Sequence, residues 1–361
     1  MNSETIKSRQ AITLYTLFML GTTILVTGNR IAGRDSWIAL IVAAIIGLPY
    51  VLICARILTL NPGKSLFDIA FIFFKKFGGW VITLVVILYA FALSLLVLRN
   101  ATEFIQQVAL HKTPQLVVSI IIALLSAWAL KKGLQVLGRS SVLFLVMILS
   151  VTIVTTLLMT NLMDFDSIKP IMGEGIAPVA KSVSRYFSFP IAESFLLLAV
   201  FHNLKKGDSQ YKSYSIGLLI GTFFLGLITL RNILVLGVPA YVEIYFPSFM
   251  AAGAINLITI LERIEGIVVV NYTVCIFIKL CICIYVIVQG CSKLSGIDYK
   301  KFLFPISLLI IIVSQIAFKS TMELFRSSTY FFYWALPIQL IIPIGVWIVA
   351  EIVNRKKKAI G

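Results

Sequence analysis

Residues 184–195 read SRYFSFPIAESF and run on into LLLAVF, so Pro190 and Glu193 interrupt an apolar stretch. A carboxylate at mid-span usually faces the interior of a helix bundle, where it finds a partner or a proton. Glu193 is therefore a candidate proton carrier, or an anchor for the cationic group of a ligand. The structural alternative is a hydrogen bond to a nearby hydroxyl or an exposed amide. Arg185, eight residues earlier, is about 12 Å away along an ideal helix and out of reach unless the chain folds back. Lys279, in TVCIFIKLCICIYV, is a second ionisable group within an apolar span. Its side chain either snorkels to the inner interface or stays inside as a fixed cation. Arg231, in FLGLITLRNILVLGVP, lies about 10 Å from the outer end of its span and reads as a snorkelling arginine. Tyr89 and the Asn271–Tyr272 pair put polar tips on apolar faces and are candidates to line a cavity. Glu262, Arg263 and Glu265 form a charged cluster at the outer mouth of the eighth span, with Glu262 and Glu265 on one helix face.

The elements that must position these groups are transmembrane helices. Of the 361 residues, 60% are hydrophobic and 13% charged, about half the charged share of soluble domains. Apolar runs of the length needed to cross hydrocarbon recur at 11–29, 37–56, 80–98, 115–131, 141–160, 183–202, 216–238, 265–289, 302–318 and 331–350. Residues 1–28 imitate a signal peptide, but no small-residue cleavage site follows, so they read as a retained first helix. The net charge of +16 is a matter of topology rather than of nucleic acid. With a cytoplasmic N-terminus, most Lys and Arg fall on inner segments, among them Lys75, Lys76, Lys131, Lys132, Lys205, Lys206, Lys300, Lys301 and Arg355 to Lys358. That excess places both termini inside and adds attraction to anionic lipid. The five cysteines read as packing residues, since Cys281 and Cys283 fall on different faces of one helix. Two histidines leave little from which to build a metal or catalytic site. The chain carries no P-loop, H-E-x-x-H or G-x-S-x-G, so neither an enzyme nor a cofactor is expected.

Ten spans divide into five plus five, approximately 10–160 and 183–350. The first span of each half enters from opposite sides of the membrane, the inverted-repeat plan of many secondary transporters. That plan predicts a discontinuous helix at the start of each half. Span one supplies Gly21-Thr22-Thr23 within TLFMLGTTILVTG, and span six supplies Pro190, which removes a backbone donor and clashes with the preceding turn. Helix ends near Thr22–Thr23 and Ser188–Phe189 would then offer N–H groups to a ligand carboxylate, while Glu193 meets its ammonium or a proton. The expected ligand site comprises Gly21, Thr22, Thr23, Tyr89, Ser188, Phe189, Pro190, Glu193 and Asn271. The stretch 243–266 is too short to cross and reads as an outer interfacial or re-entrant helix. KSLFDIAFIFFKKFGG and NATEFIQQVALHKT are expected to hold short amphipathic helices. One transmembrane domain accounts for the whole chain.

With these residues in view, the chain resembles the B subunits of spore nutrient germinant receptors, the endospore germination permeases of the amino acid/polyamine/organocation transporter superfamily. IKPIMGEGIAPV (168–179), FMLGTTIL, FSFPIAE and LERIEG carry the resemblance. It implies an all-α, LeuT-like fold with discontinuous helices one and six. It also implies a multi-pass subunit of the spore inner membrane that binds a small nutrient, often an amino acid, between spans one, three, six and eight. The implied partners are an A-type and a lipoprotein C-type subunit, and the implied outcome is germination. An active amino-acid permease, proton-coupled through Glu193, is the alternative. Lys279 would stand where related folds hold a sodium ion against spans one and eight. The chain departs from many relatives in having Gly21-Thr22-Thr23 in place of Gly-x-Gly, and Pro190 in place of glycine.

Overall fold

A computed structural model of the chain describes residues 5–26, 30–205, 207–257, 264–318 and 320–360. Among them the backbone is helical, with one isolated bridge between Ile6 and Leu204. The helices are α1 (Ser8–Leu20), α2 (Thr23–Val26), α3 (Ser36–Leu60), α4 (Leu66–Val108), α5 (Gln115–Lys131) and α6 (Leu134–Leu158). They continue with α7 (Ile176–Tyr186), α8 (Gln210–Glu243), α9 (Pro247–Gly253), α10 (Ile264–Ser295), α11 (Leu303–Ala317) and α12 (Thr321–Ile360).

Among the described residues, seven helices are long and apolar enough to cross a membrane, and α5 is a shorter apolar helix. The remaining two apolar stretches, around residues 11–29 and 183–202, are the interrupted ones. α1 stops at Leu20, and α2 resumes at Thr23 after Gly21 and Thr22. α7 passes at Phe187 into a wide π-type turn over Phe187–Ile191, with Phe189 extended and the Phe189–Pro190 peptide cis. A tighter 3₁₀ segment, Ala192–Ala199, completes the stretch and is buried throughout. Both expected interruptions are present, at the glycine and at the proline.

Local sequence sets the other boundaries. Ser65 and Asp68 form a capping box at the start of α4, satisfying donors that a helix leaves open. At 43 residues, α4 would run about 65 Å if straight, twice the hydrocarbon thickness. The backbone breaks at Phe74 and Lys75, which separates the short amphipathic piece expected there from the membrane span. The other end differs from expectation. No separate helix follows residue 98, because α4 continues to Val108. Arg99 and Glu103 pair one turn apart at 2.9 Å and are both buried, and their mutual neutralisation lets the helix run on through packed surroundings. Pro247 occupies the first turn of α9, a position where its missing N–H costs nothing. α9 and the turn Ala254–Leu257 occupy the stretch read as interfacial, and they pack on α8, α10 and α2. Glu262, Arg263 and the Glu265 side chain lie outside the described residues.

α3 packs on α8, α4 on α10 and α5 on α11, elements with the same ordinal place in the two expected halves. α1 is wrapped by α6, α8 and α10. Ile45, Leu143, Ile316 and Ile341 point outward, as side chains facing lipid do. Near the N-terminus, the Ile6 N–H donates to the Asn203 carbonyl at 3.1 Å, and the Lys205 N–H to the Ile6 carbonyl at 2.9 Å. Ser8 adds its N–H to the Asp208 carboxylate at 2.8 Å. The base of α1 is thus stitched to the chain that leaves the interrupted sixth stretch.

Candidate functional site

The two interruptions meet in the middle of the bundle, and an ion pair lies between them. Lys279, on α10, places its ammonium 2.6 Å from Glu193 Oε2, and both side chains are fully buried. The ammonium also stands 4.3 Å from the Phe189 ring and 5.2 Å from the Phe18 ring, contacts that favour a desolvated cation. Lys279 therefore does not snorkel. It joins α10 to the broken sixth stretch and to α1 at once. Glu193 Oε1 has no hydrogen-bond partner among the described residues.

This pair explains Gly21 in packing terms. A Cβ built there would lie 2.4 Å from Lys279 Cδ and 2.8 Å from the Phe18 carbonyl. The lysine stem passes the first break at the one residue that has no side chain. Gly21→Ala is expected to destabilise the protein by about 1–3 kcal/mol through overpacking. Thermal unfolding of the purified variant checks this, and an unchanged melting temperature would contradict it.

The polar backbone exposed by the sixth break is met by side chains from other helices. Gln339, on α12, donates to the Ser188 carbonyl at 3.0 Å and to the Tyr89 hydroxyl at 2.7 Å. Its Oε1 accepts from the Ser188 hydroxyl at 2.8 Å. The Tyr50 hydroxyl, on α3, shares its one hydrogen between the Ala192 and Gln339 carbonyls, at 3.0 and 2.8 Å. An unmet buried carbonyl costs as much as a lost hydrogen bond, so Gln339 and Tyr50 hold the irregular stretch in shape. At the first break, the Thr23 hydroxyl donates to the Met19 carbonyl at 3.2 Å.

A cavity of about 170 Å³, open at one end, lies against both breaks. Thr22 lines it from the first break, Ser188 and Phe189 from the sixth, and Asn100 from α4. Leu93, Phe325 and Phe331 give it apolar walls, and Arg30 and Arg185 supply the charge. The Arg185 guanidinium stacks 5.2 Å from the Phe332 ring. Arg30 donates to the backbone carbonyls of Val242 and Ile244. Neither arginine meets a carboxylate among the described residues, and no carboxylate lines the cavity.

The residues singled out from the sequence fall into three places. Thr22, Ser188 and Phe189 line the cavity. Gly21, Glu193 and Lys279 lie in the ion-pair layer, with the Phe189 ring between that layer and the cavity. Thr23, Pro190 and Tyr89 support the breaks. Asn271 belongs elsewhere: it donates to the Ile148 carbonyl at 3.2 Å and lines a second, smaller cavity beside Arg231. Arg231 is buried rather than snorkelling, and it donates to Asn232 Oδ1 at 2.9 Å. Depth counted along the helix put it near the interface, but its face of α8 turns inward. Arg30, Asn100, Gln339 and the Arg99–Glu103 pair were not among the sequence candidates. The only sequence signal they carry is a polar type flanking an apolar span or, for Gln339, within one.

The family model described as "Spore germination protein" matches residues 5–322. The chain is 28% identical to "Spore germination protein KB" of Bacillus subtilis (strain 168), covering 99% of this chain and 97% of that one. It is 22% identical to "Spore germination protein YndE" of the same strain, over 95% and 96% of the two chains. Among solved structures it is similar to MhsT in complex with L-phenylalanine, with a TM-score of 0.68 and 11% identity over 96% of this chain and 98% of that one. Mhp1, a nucleobase-cation-symport-1 family transporter bound to bromovinylhydantoin, gives a TM-score of 0.67 at 10% identity over 95% and 80%. The fold is that of these LeuT-like transporters.

Proposed function

Since this chain belongs to the spore germination protein family, we propose that it is the nutrient-binding membrane subunit of a germinant receptor. The nutrient is a small molecule bearing a carboxylate, in the first instance an amino acid. It occupies the cavity between the interrupted helices, with its carboxylate toward Arg185 and Arg30 and its side chain against Phe189, Leu93 and Phe325. One observation carries this reading: among the described residues, the cavity at both breaks is lined by two guanidinium groups and no carboxylate. A guanidinium presents a planar fork of donors suited to a carboxylate.

In this mechanism the Lys279–Glu193 pair is internal to the protein and lies beneath the ligand. The Lys279 ammonium serves as a permanent cation against α1 and α10 in place of sodium. Ligand occupancy shifts the balance between two arrangements of the broken helices, through unequal affinity for the two. An A-type and a lipoprotein C-type subunit read that shift in the spore inner membrane, with both termini of this chain on the core side. The proposal contains no catalytic step.

The test is a nutrient screen of spores that carry this chain and its partners as their sole receptor. A germinating amino acid is expected to lose its effect as the methyl ester, which keeps the side chain and ammonium but lacks the carboxylate charge. Equal potency of acid and ester would remove the arginines from the ligand site. Uptake of the labelled nutrient into proteoliposomes holding this chain alone would favour the permease reading instead.

A further inference from the structure

The second cavity lies apart from the proposed nutrient site and is bounded by α2, α6, α8, α9 and α10. It has room for about one water-sized guest. Arg231 reaches it from α8 and is 5% exposed. Among the described residues the guanidinium meets no carboxylate. Its donations go to Asn232 Oδ1 at 3.2 and 2.9 Å and to the Thr155 hydroxyl at 3.4 Å. A guanidinium has five N–H groups, so these contacts leave two unassigned. Tyr272 lines the same cavity from α10, is 1% exposed, and has a hydroxyl without a partner among the described residues. Asn271 beside it uses one amide N–H on the Ile148 carbonyl and has a second to give.

A buried cation without a counter-charge is among the most costly arrangements in a protein interior. Among the described residues it shares a small cavity with further donors and no acid. We propose that this cavity is a binding site for a small monovalent inorganic anion of chloride size, held by Arg231 with Tyr272 and Asn271. The size of the cavity excludes an amino acid, so the site is independent of the nutrient reading. The anion ties α8 to α10 next to α9, on the side of the bundle where α2 ends.

Purified full-length protein in non-ionic detergent provides the test. Its melting temperature is measured while sodium chloride replaces sodium gluconate at constant ionic strength, gluconate being too large to enter. Chloride is expected to raise the melting temperature saturably, by the linkage of ligand to the folded state. Arg231→Gln is expected to abolish the dependence on anion identity. Tyr272→Phe should weaken the apparent chloride affinity about tenfold, the loss that follows removal of one hydrogen bond to a charged group. Identical melting of the wild type in both salts, or a chloride effect that survives Arg231→Gln, would overturn the proposal. Should Arg231→Gln fail to fold, an unchanged half-saturation in Tyr272→Phe would overturn it equally.

Discussion

Glu193→Met and Lys279→Met, made singly, are each expected to lower stability by about 3–5 kcal/mol, while the double variant recovers most of the loss. The reasoning rests on where the pair sits. Both side chains are fully buried and 2.6 Å apart, so removing either leaves the other charged or forced to shed its charge in an apolar layer. Replacing both leaves two unbranched apolar side chains of similar length in the same space. Such replacements are often neutral or stabilising, because the desolvation cost of both ions disappears together. In thermal unfolding the single variants should melt lower by on the order of 5–10 °C. A double variant no better than the worse single would mean that the two residues do not act as a pair. The germination response of the double variant is expected to stay impaired, because the link between α10 and the broken sixth stretch is gone even where the fold is kept.

The second large effect is expected on nutrient sensitivity rather than on stability. Arg185→Gln should raise the nutrient concentration needed for half-maximal germination by about 10- to 100-fold, the value of a charge-assisted hydrogen bond. Arg185 is the better of the two arginines to change. Its guanidinium lies over Phe332 at the cavity wall, so its loss leaves little backbone unmet. Arg30 also holds the carbonyls of Val242 and Ile244, and its removal would disturb the end of α8 as well as the ligand. Arg185→Lys should give an intermediate shift, since it keeps the charge and loses the planar fork. Quantitative immunoblotting of spore membranes provides the control, with protein level unchanged in both Arg185 variants. An unaltered dose–response curve in Arg185→Gln would place the nutrient carboxylate elsewhere.

What was legible in the sequence follows from what is local. A glycine followed by two threonines and a proline in mid-span announce breaks, because φ/ψ freedom and a missing donor act within one turn of chain. Apolar run length announced the membrane, and both breaks lie where those signals put them. The partner of Glu193 was not legible, since Lys279 is 86 positions away in sequence and only the packing of α10 brings it there. The mistake about Arg231 has the same origin. Depth along a helix can be counted from residues, but the face that turns inward is decided by neighbouring helices. Gln339 and Tyr50 are a third instance. Their task is to satisfy backbone atoms of another segment, and no motif marks a residue for that. Nor did the sequence mark Gly21, expected in the ligand site, as the gap through which the Lys279 stem passes.

The stitch between Ile6 and the segment Asn203–Lys205 consists of main-chain hydrogen bonds. Alanine at any of those positions would leave both donors and acceptors in place; only proline at Ile6 or Lys205 would delete one. This fastening is inherited through the path of the polypeptide and not through residue identity. Distant members of the lineage can keep it while sharing none of the side chains involved, and an alanine survey of the N-terminal arm would pass over it.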